Sequence, residues 1–543
     1  MALQRFIPKS PDPFIRNSQD FDVARMGHLN TLIDYVNANL PEPTPPTPPA
    51  AIILGSGLLS TVRTDASNTT LGDYSAVLAG SSNNSPGCYA VISGGTTNNA
   101  YGIYSSIMNG TLNNACGANS SIINGTSNTT CGINSSIING TSNITCGINS
   151  SIINGTSNSA LGLNATINNG LTNTIGLNGC YSTVGNGQLN NVSCCYSAIN
   201  TGLCGTIDGW YSVIGSGMCN RIQKGFNFIG SGYDNTICNH DSGFIGTGLY
   251  NRIDCSFGAG IISGEGNRIC CSLEGFIGAG AYNTMCNSGH GVIMGGYVNS
   301  MCYSLEGVIG GGRNHVICSC YSLIGSGDGN RILTGMSSNI GFNNIVGGVG
   351  NTICQTSGQA FIGGGCLNKT NGYQNFIGGG QLNTTSNTRS SIMGGDTNTA
   401  SGDPSFIGGG YLNVASGAYT FIGGGGRNLA SCNNGFVGSG FLNCVTGWVS
   451  AIGGGCCNVA SGCWSGVFAG GQNTASGLHT YILGGLSNIA THDYSSVVGC
   501  AVTSRLACAL HANRLVLTNI PTASAGLPSG TIWSNAGVLN IVP

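Results

Sequence analysis

From Ser121 to Asn158 the phrase S-I-I-N-G-T-S-N recurs three times, and its last Asn falls at Asn128, Asn143 and Asn158, a spacing of 15 residues. The grid continues upstream to Asn113, Asn98, Asn83 and Asn68 and downstream to Asn173. It returns at Asn368, Asn383, Asn398, Asn413, Asn428, Asn443, Asn458, Asn473 and Asn488. With this Asn as position zero, position −6 is Ile or Val in repeat after repeat, as at Ile122, Ile137, Ile152, Ile407 and Ile422. Position +2 is Ala, Thr, Ile or Met, and position −4 is small, usually Gly or Asn. Even offsets are thus expected to face inward, the period of a strand. Clusters such as Gly408, Gly409 and Gly410 mark turns with positive φ. Each repeat reads as two short strands and two tight corners, one coil of a parallel β-solenoid or β-roll. Roughly 28 coils of 15–16 residues, stacked at about 4.8 Å, make a rod on the order of 130 Å long.

Stacking explains the asparagines. A buried amide is costly unless it is paired, and in-register coils bring identical residues together. The expectation is that Asn113, Asn128, Asn143, Asn158, Asn413, Asn428, Asn443 and Asn458 donate their side-chain NH₂ to the amide oxygen of the next Asn. The rhythm drifts between Asn235 and Asn299, where the spacing is 16, and the extra residue should fit in a corner. About six residues are added between Asn330 and Asn351, which reads as a protruding loop from Ile332 to Asn343.

The ends differ from this shaft. Residues 1–40 carry a helical pattern from about Asp20 to Leu40, with Met26, Leu29, Ile33, Val36 and Leu40 on one seam. That seam reads as an attachment or oligomerisation device. Residues 41–50 are a Pro-rich, stiff spacer. The solenoid spans 51–503. Residues 504–543 leave the grid: Arg514 to Asn519 reads as a strand, and Gly530 to Ser534 with Gly537 to Val542 as a hairpin around Asn535-Ala536. This segment is expected to cap the open end of the solenoid.

Composition narrows the function. Of 543 residues, 93 are Gly and only 6% are charged, with a net charge of −2. That gives no electrostatic case for nucleic acid or an anionic membrane. No secretory signal or membrane-length apolar run is visible, so assembly in a reducing cytoplasm is expected. Many of the 26 Cys fall at position +3: Cys116, Cys131, Cys146, Cys238, Cys270, Cys286, Cys302 and Cys354. Ser takes the same place in later coils, so free, buried thiols are the preferred reading, with disulfides between adjacent coils as the alternative.

Candidate chemistry is sparse. The histidines His28, His240, His290, His315, His479, His492 and His511 are scattered without a metal-binding spacing. No nucleotide loop and no recurring carboxylate pair stands out, so neither an enzyme nor a cofactor is expected. Arg221, Arg252, Arg268 and Arg331 each follow a ladder Asn and point outward. They form a candidate recognition belt, or else charge pairing that keeps rods from sticking laterally. Trp210, Trp448, Trp464, Tyr411 and Tyr419 lie at loop offsets where rings can stack on sugars or pack against another chain.

Three segments carry a resemblance. The coil I-G-G-G-x-x-N-x-A-S-G, Ile407 to Gly417, resembles repeats in trimeric autotransporter adhesin heads and bacteriophage fibre shafts. Leu517 to Val542 is similar to the closing segment of phage tail-fibre and virion structural proteins, and Ala24 to Asn37 to their N-terminal segments. The autotransporter signal peptide and membrane barrel have no counterpart here. The phage resemblance implies a homotrimeric, non-enzymatic fibre or spike, assembled in the host cytoplasm and joined to a tail or capsid protein at its N-terminus. Its distal part meets a host receptor or glycan, with no membrane insertion. The alternatives are a non-viral extracellular adhesive or structural filament, an ice-binding solenoid and a glycan depolymerase. The ice-binding alternative needs a long Thr row, whereas Thr126, Thr141 and Thr156 continue for only a few coils.

Overall fold

A computed structural model describes residues 52–63, 67–335 and 341–543. The proposed helical seam Met26, Leu29, Ile33, Val36, Leu40 and the spacer 41–50 lie outside the described residues. Among the described residues the protein is all-β, a parallel β-solenoid of about 29 turns. Most coils contribute one two- or three-residue strand to each of two sheets, and the longest strand is Tyr481–Leu486. Ser121–Ile122, Ser136–Ile137 and Ser151–Ile152 are successive parallel rungs of the first sheet. Thr129–Thr130, Ile144–Thr145 and Ser159–Ala160 are rungs of the second.

The core between the sheets is thin and repetitive. Ile122, Ile137 and Ile152 are fully buried, and the +2 residues Ala115, Thr130, Thr145 and Ala160 face them. A buried Ile contributes about 1.5–3 kcal/mol by leaving water, and the same contact recurs in each turn. Inward alternation holds at −6, 0 and +2. It fails at −4, where Asn124 and Asn139 are exposed, because the chain has already left the strand.

The ladder asparagines are buried, as the repeat requires, but their pairing differs from amide-to-amide stacking. Asn128 Oδ1 accepts from the backbone N–H of Asn143 at 3.0 Å, while Asn128 Nδ2 donates to the carbonyl of Gly140 at 2.9 Å. A weaker contact joins Asn128 Nδ2 to Asn113 Oδ1 at 3.2 Å. Asn113, Asn143, Asn158, Asn413, Asn428, Asn443 and Asn458 make the same bonds to the backbone of neighbouring coils. The reason is local. At this corner the backbone turns inward and its N–H and C=O groups need partners in the core. The Asn amide, with one acceptor and two donors, supplies them.

A second, unforeseen ladder lines the opposite corner at position −8. Ser120, Ser135 and Ser150 are buried there, and Ser135 Oγ donates to the carbonyl of Gly132 at 2.7 Å. Asn227, Asn343 and Asn375 take the same slot in later coils. The repeated Ser just before S-I-I-N was its sequence signal.

The turns are sharper than Gly alone provides. Of the cluster Gly408, Gly409 and Gly410, only Gly410 has positive φ, +88°. Each regular coil also places ordinary residues at −1 and +6 in the left-handed region, for example Ser142 (φ 56°) and Asn134 (φ 56°). Strand N–H groups donate to the following coil, whereas these donate backwards, Ser142 to the Thr126 carbonyl and Asn134 to that of Ala118. That bond offsets a backbone cost on the order of 1 kcal/mol per residue.

His315 occupies a ladder slot, so it is not a scattered histidine. Its N–H donates to Asn299 Oδ1 at 3.0 Å, and its Nδ1 accepts from the N–H of Asn330 at 3.1 Å, the role of Asn Oδ1 elsewhere. The slot therefore requires a neutral ring, and burial pulls its pKa below the ordinary 6.5. A folded pKa below the unfolded one means that stability is complete above about pH 6.5 and is lost progressively as pH falls from there through the lower folded value. His315→Asn is expected to fold and to flatten this dependence. Urea midpoints measured from pH 7.5 to 5 check it, and parallel curves for the two proteins would refute it.

The ends and insertions refine the expectations. Where the spacing is 16, the added residue lies in the corner after the second-sheet strand, with positive φ at Asn239 and Ser242. Of the excursion proposed for 332–343, Ile332 is core, Thr334 and Asn343 are buried and Arg331–Gly335 is a strand; residues 336–340 lie outside the described residues. The first sheet begins with an antiparallel strand, Ile52–Leu54 against Thr61–Arg63. It continues to Leu510–Ala512, beyond the expected end at 503. The segment Arg514 to Asn519 is not a strand. The hairpin is present as Ile532–Asn535 with Val538–Ile541, turning at Ala536 and Gly537. In the segment 504–543 Ser504 is buried, while Leu506, Leu515, Val516 and Ile541 are exposed.

Candidate functional site

With the interior occupied by ladders, the chemistry available to a partner is on the outward rows. Successive coils place equivalent outward residues one rung apart, so each row repeats a single side-chain choice.

The arginine row runs along the second sheet at +1, with Arg221, Thr236, Arg252 and Arg268 in consecutive coils. Arg252 and Arg268 both engage Asp254, and Arg221 lies 3.8 Å from Asp208. Burial opposes the charge on Asp254, yet hydrogen bonds from Arg252 and Cys238 and the nearby guanidinium charges hold its carboxyl below the ordinary range. Arg331 lies farther along the row and makes no ion pair with any described residue. Three of the four arginines are thus engaged by carboxylates of their own rod, which favours internal pairing over a free cationic belt.

The +3 thiols need correction. In the 15-residue coils Cys116, Cys131 and Cys146 are exposed, whereas Cys238, in a 16-residue coil, is a free and buried thiol. Cys270–Cys286 and Cys302–Cys318 are disulfides between adjacent coils, with Cα separations of 4.8 and 5.0 Å. Rung spacing places +3 neighbours within bonding reach, so small size was not the sole requirement there. The buried Cys238 thiol is pushed up to about 11, first by burial and then by its bond to the Asp254 carboxylate. The half-buried Cys354, Cys432 and Cys444 are also raised by burial. A raised thiol holds little thiolate, which argues against a cysteine nucleophile at these positions.

The aromatic residues form two kinds of column. At the left-handed corner that is +6 in a regular coil and +8 for Tyr181, Tyr181, Tyr196, Tyr211 and Phe226 stack at 4.7–5.2 Å. Trp464, His479 and Tyr494 do so nearer the C-terminus, with Trp448 edge-on to Trp464. On the first sheet, Phe361 stacks on Phe376, and Phe406, Phe421 and Phe436 form a run at 5.1–5.3 Å. Each Phe ring lies beside the Gly two residues on. A Cβ at Gly423 would meet the Gly438 carbonyl oxygen at 2.2 Å, with the Phe421 ring beyond it at 3.4 Å. Trp210, Trp448, Trp464, Tyr411 and Tyr419 are all exposed. The Thr row runs from Thr96 through Thr156 and ends at Leu171.

Neither protein-family models nor curated proteins match this chain. The outward rows are therefore judged on their chemistry. Among the described residues, no three of His, Cys, Asp and Glu are placed to hold a metal ion. What the surface offers is flat apolar rings at regular axial spacing, suited to stacking on rings or on another chain.

Proposed function

We propose that the chain is the shaft of a bacteriophage fibre or spike, a homotrimer attached to the virion through residues 1–50 and meeting the host surface with its outer part. The uninterrupted stack of about 29 coils is the observation that carries this reading. Its ladder Asn amides and strand N–H groups are bonded from coil to coil, so it is built to be long and stiff. The half-exposed Phe rows support association of identical rods, because a second rod has the same axial repeat and can meet every ring in register. The resemblance of Leu517 to Val542 and of Ala24 to Asn37 to phage structural proteins supports the virion setting.

Electron micrographs of the full chain should show rods on the order of 140 Å long, at about 4.8 Å per coil. Mass photometry should give three chain masses, and antibodies should decorate virions of the source phage. Compact particles or a monomer would refute the proposal. The exposed apolar tail and the open edge of Leu510–Ala512 favour a second reading, rods joined end to end as a non-viral filament. Micrographs showing polymers in place of single rods would select it.

A further inference from the structure

Cys270, Cys286, Cys302 and Cys318 form one row on the second sheet, at +3 in four consecutive coils. All four are half-exposed. They are bonded as Cys270–Cys286 and Cys302–Cys318, with Cα separations of 4.8 and 5.0 Å. The step between the two bonds is a rung of the same kind: Cys286 and Cys302 are register partners on the parallel strands Thr284–Cys286 and Ser300–Cys302. Spacing therefore permits two pairings, the one present and a Cys286–Cys302 bond that leaves both ends of the row free. The row stops at Asp254, which fills the slot before Cys270, and at Leu333, which follows Cys318.

We infer that this row is a thiol–disulfide exchange site, where a small anionic thiol captured at Cys270 releases a free thiol at Cys318, three rungs away. The incoming thiolate attacks Cys270 Sγ. The Cys270–Cys286 bond breaks, a mixed disulfide forms at Cys270, and the electron pair leaves on Cys286. The Cys286 thiolate then attacks Cys302 Sγ one rung on, the Cys302–Cys318 bond breaks, and Cys318 takes the electron pair and a proton. One thiol enters, one thiol appears and two disulfides remain, so no oxidant or reductant is needed beyond the thiol itself. Displacement at sulfur is collinear, and like residues stacked along the rod axis supply that line. Entry is at Cys270 because its outward neighbour on the strand is Arg268, whereas Thr284, Ser300 and Val316 stand beside the other three. A guanidinium there favours an approaching thiolate.

The test exposes the full, air-equilibrated chain briefly to reduced glutathione. Acid then stops exchange, free thiols are alkylated, and unreduced peptides are mapped by mass. Glutathione on Cys270, a Cys286–Cys302 cross-linked peptide and an alkylated Cys318 are expected. The exposed thiols of Cys255 and Cys271, beside the row, should be alkylated with or without glutathione and serve as the internal standard. Cys302→Ser should fold, since Ser416, Ser431 and Ser461 fill the same position in other coils. In that variant the exchange should stop after the first step, with glutathione on Cys270, Cys286 alkylated and the cross-linked peptide lost. Glutathione on Cys270 of the wild type with Cys286 alkylated and Cys302–Cys318 intact would overturn the inference. So would four free thiols, or a Cys286–Cys302 bond, in the protein before glutathione is added.

Discussion

Gly140→Val is expected to cut the rod into two separately folded pieces. Gly140 has φ +112°, and a Cβ there would lie 2.0 Å from the carbonyl oxygen of Gly155 and 2.5 Å from Asn143 Nδ2. Neither neighbour can retreat, since the first is backbone and the second holds the ladder. The substitution combines backbone strain with a clash along the stacking axis, and a cost above about 4 kcal/mol is expected at that coil. Coils touch only their neighbours, so the damage should stay local. Limited proteolysis should cleave near residue 140 and leave a resistant C-terminal fragment. Wild-type resistance in the variant would contradict the stacking contact on which the fold rests.

Asn128→Ala is expected to cost about 2–4 kcal/mol, because it orphans a buried backbone N–H, at roughly 1–3 kcal/mol, and removes one of two bonds to a backbone carbonyl, at about 1 kcal/mol. The N–H of Asn143 loses its acceptor, whereas the carbonyl of Gly140 loses one of two donors and keeps the N–H of Thr126. Asn128→His should be milder, since His315 already makes the equivalent backbone bond through Nδ1. Hydrogen exchange at the Asn143 amide reads the effect directly: fast in the Ala variant, slower in the His variant. Exchange unchanged by Asn128→Ala would mean that this N–H has another partner.

Much of the architecture was legible because a repeat constrains every coil at once. One Asn can be a surface turn. A long series of Asn, each six residues after an Ile or Val, must share one environment, and the buried Ile122, Ile137 and Ile152 occupy it. The same grid reached His315, which stands 16 residues after Asn299, but reading it by residue type alone concealed its role. The Ser ladder was missed because Ser is common at exposed turns, and only burial separates the two cases.

The chain's own pattern determined the coil, its period and its two inward apolar positions, since these follow from local alternation and from stacking like on like. Tertiary structure decided the rest. It set which backbone groups the Asn amides satisfy, which +3 cysteines bond and which arginines are neutralised. Each depends on the direction in which a side chain leaves a corner and on what the adjacent coil presents there, and spacing along one strand of sequence carries neither.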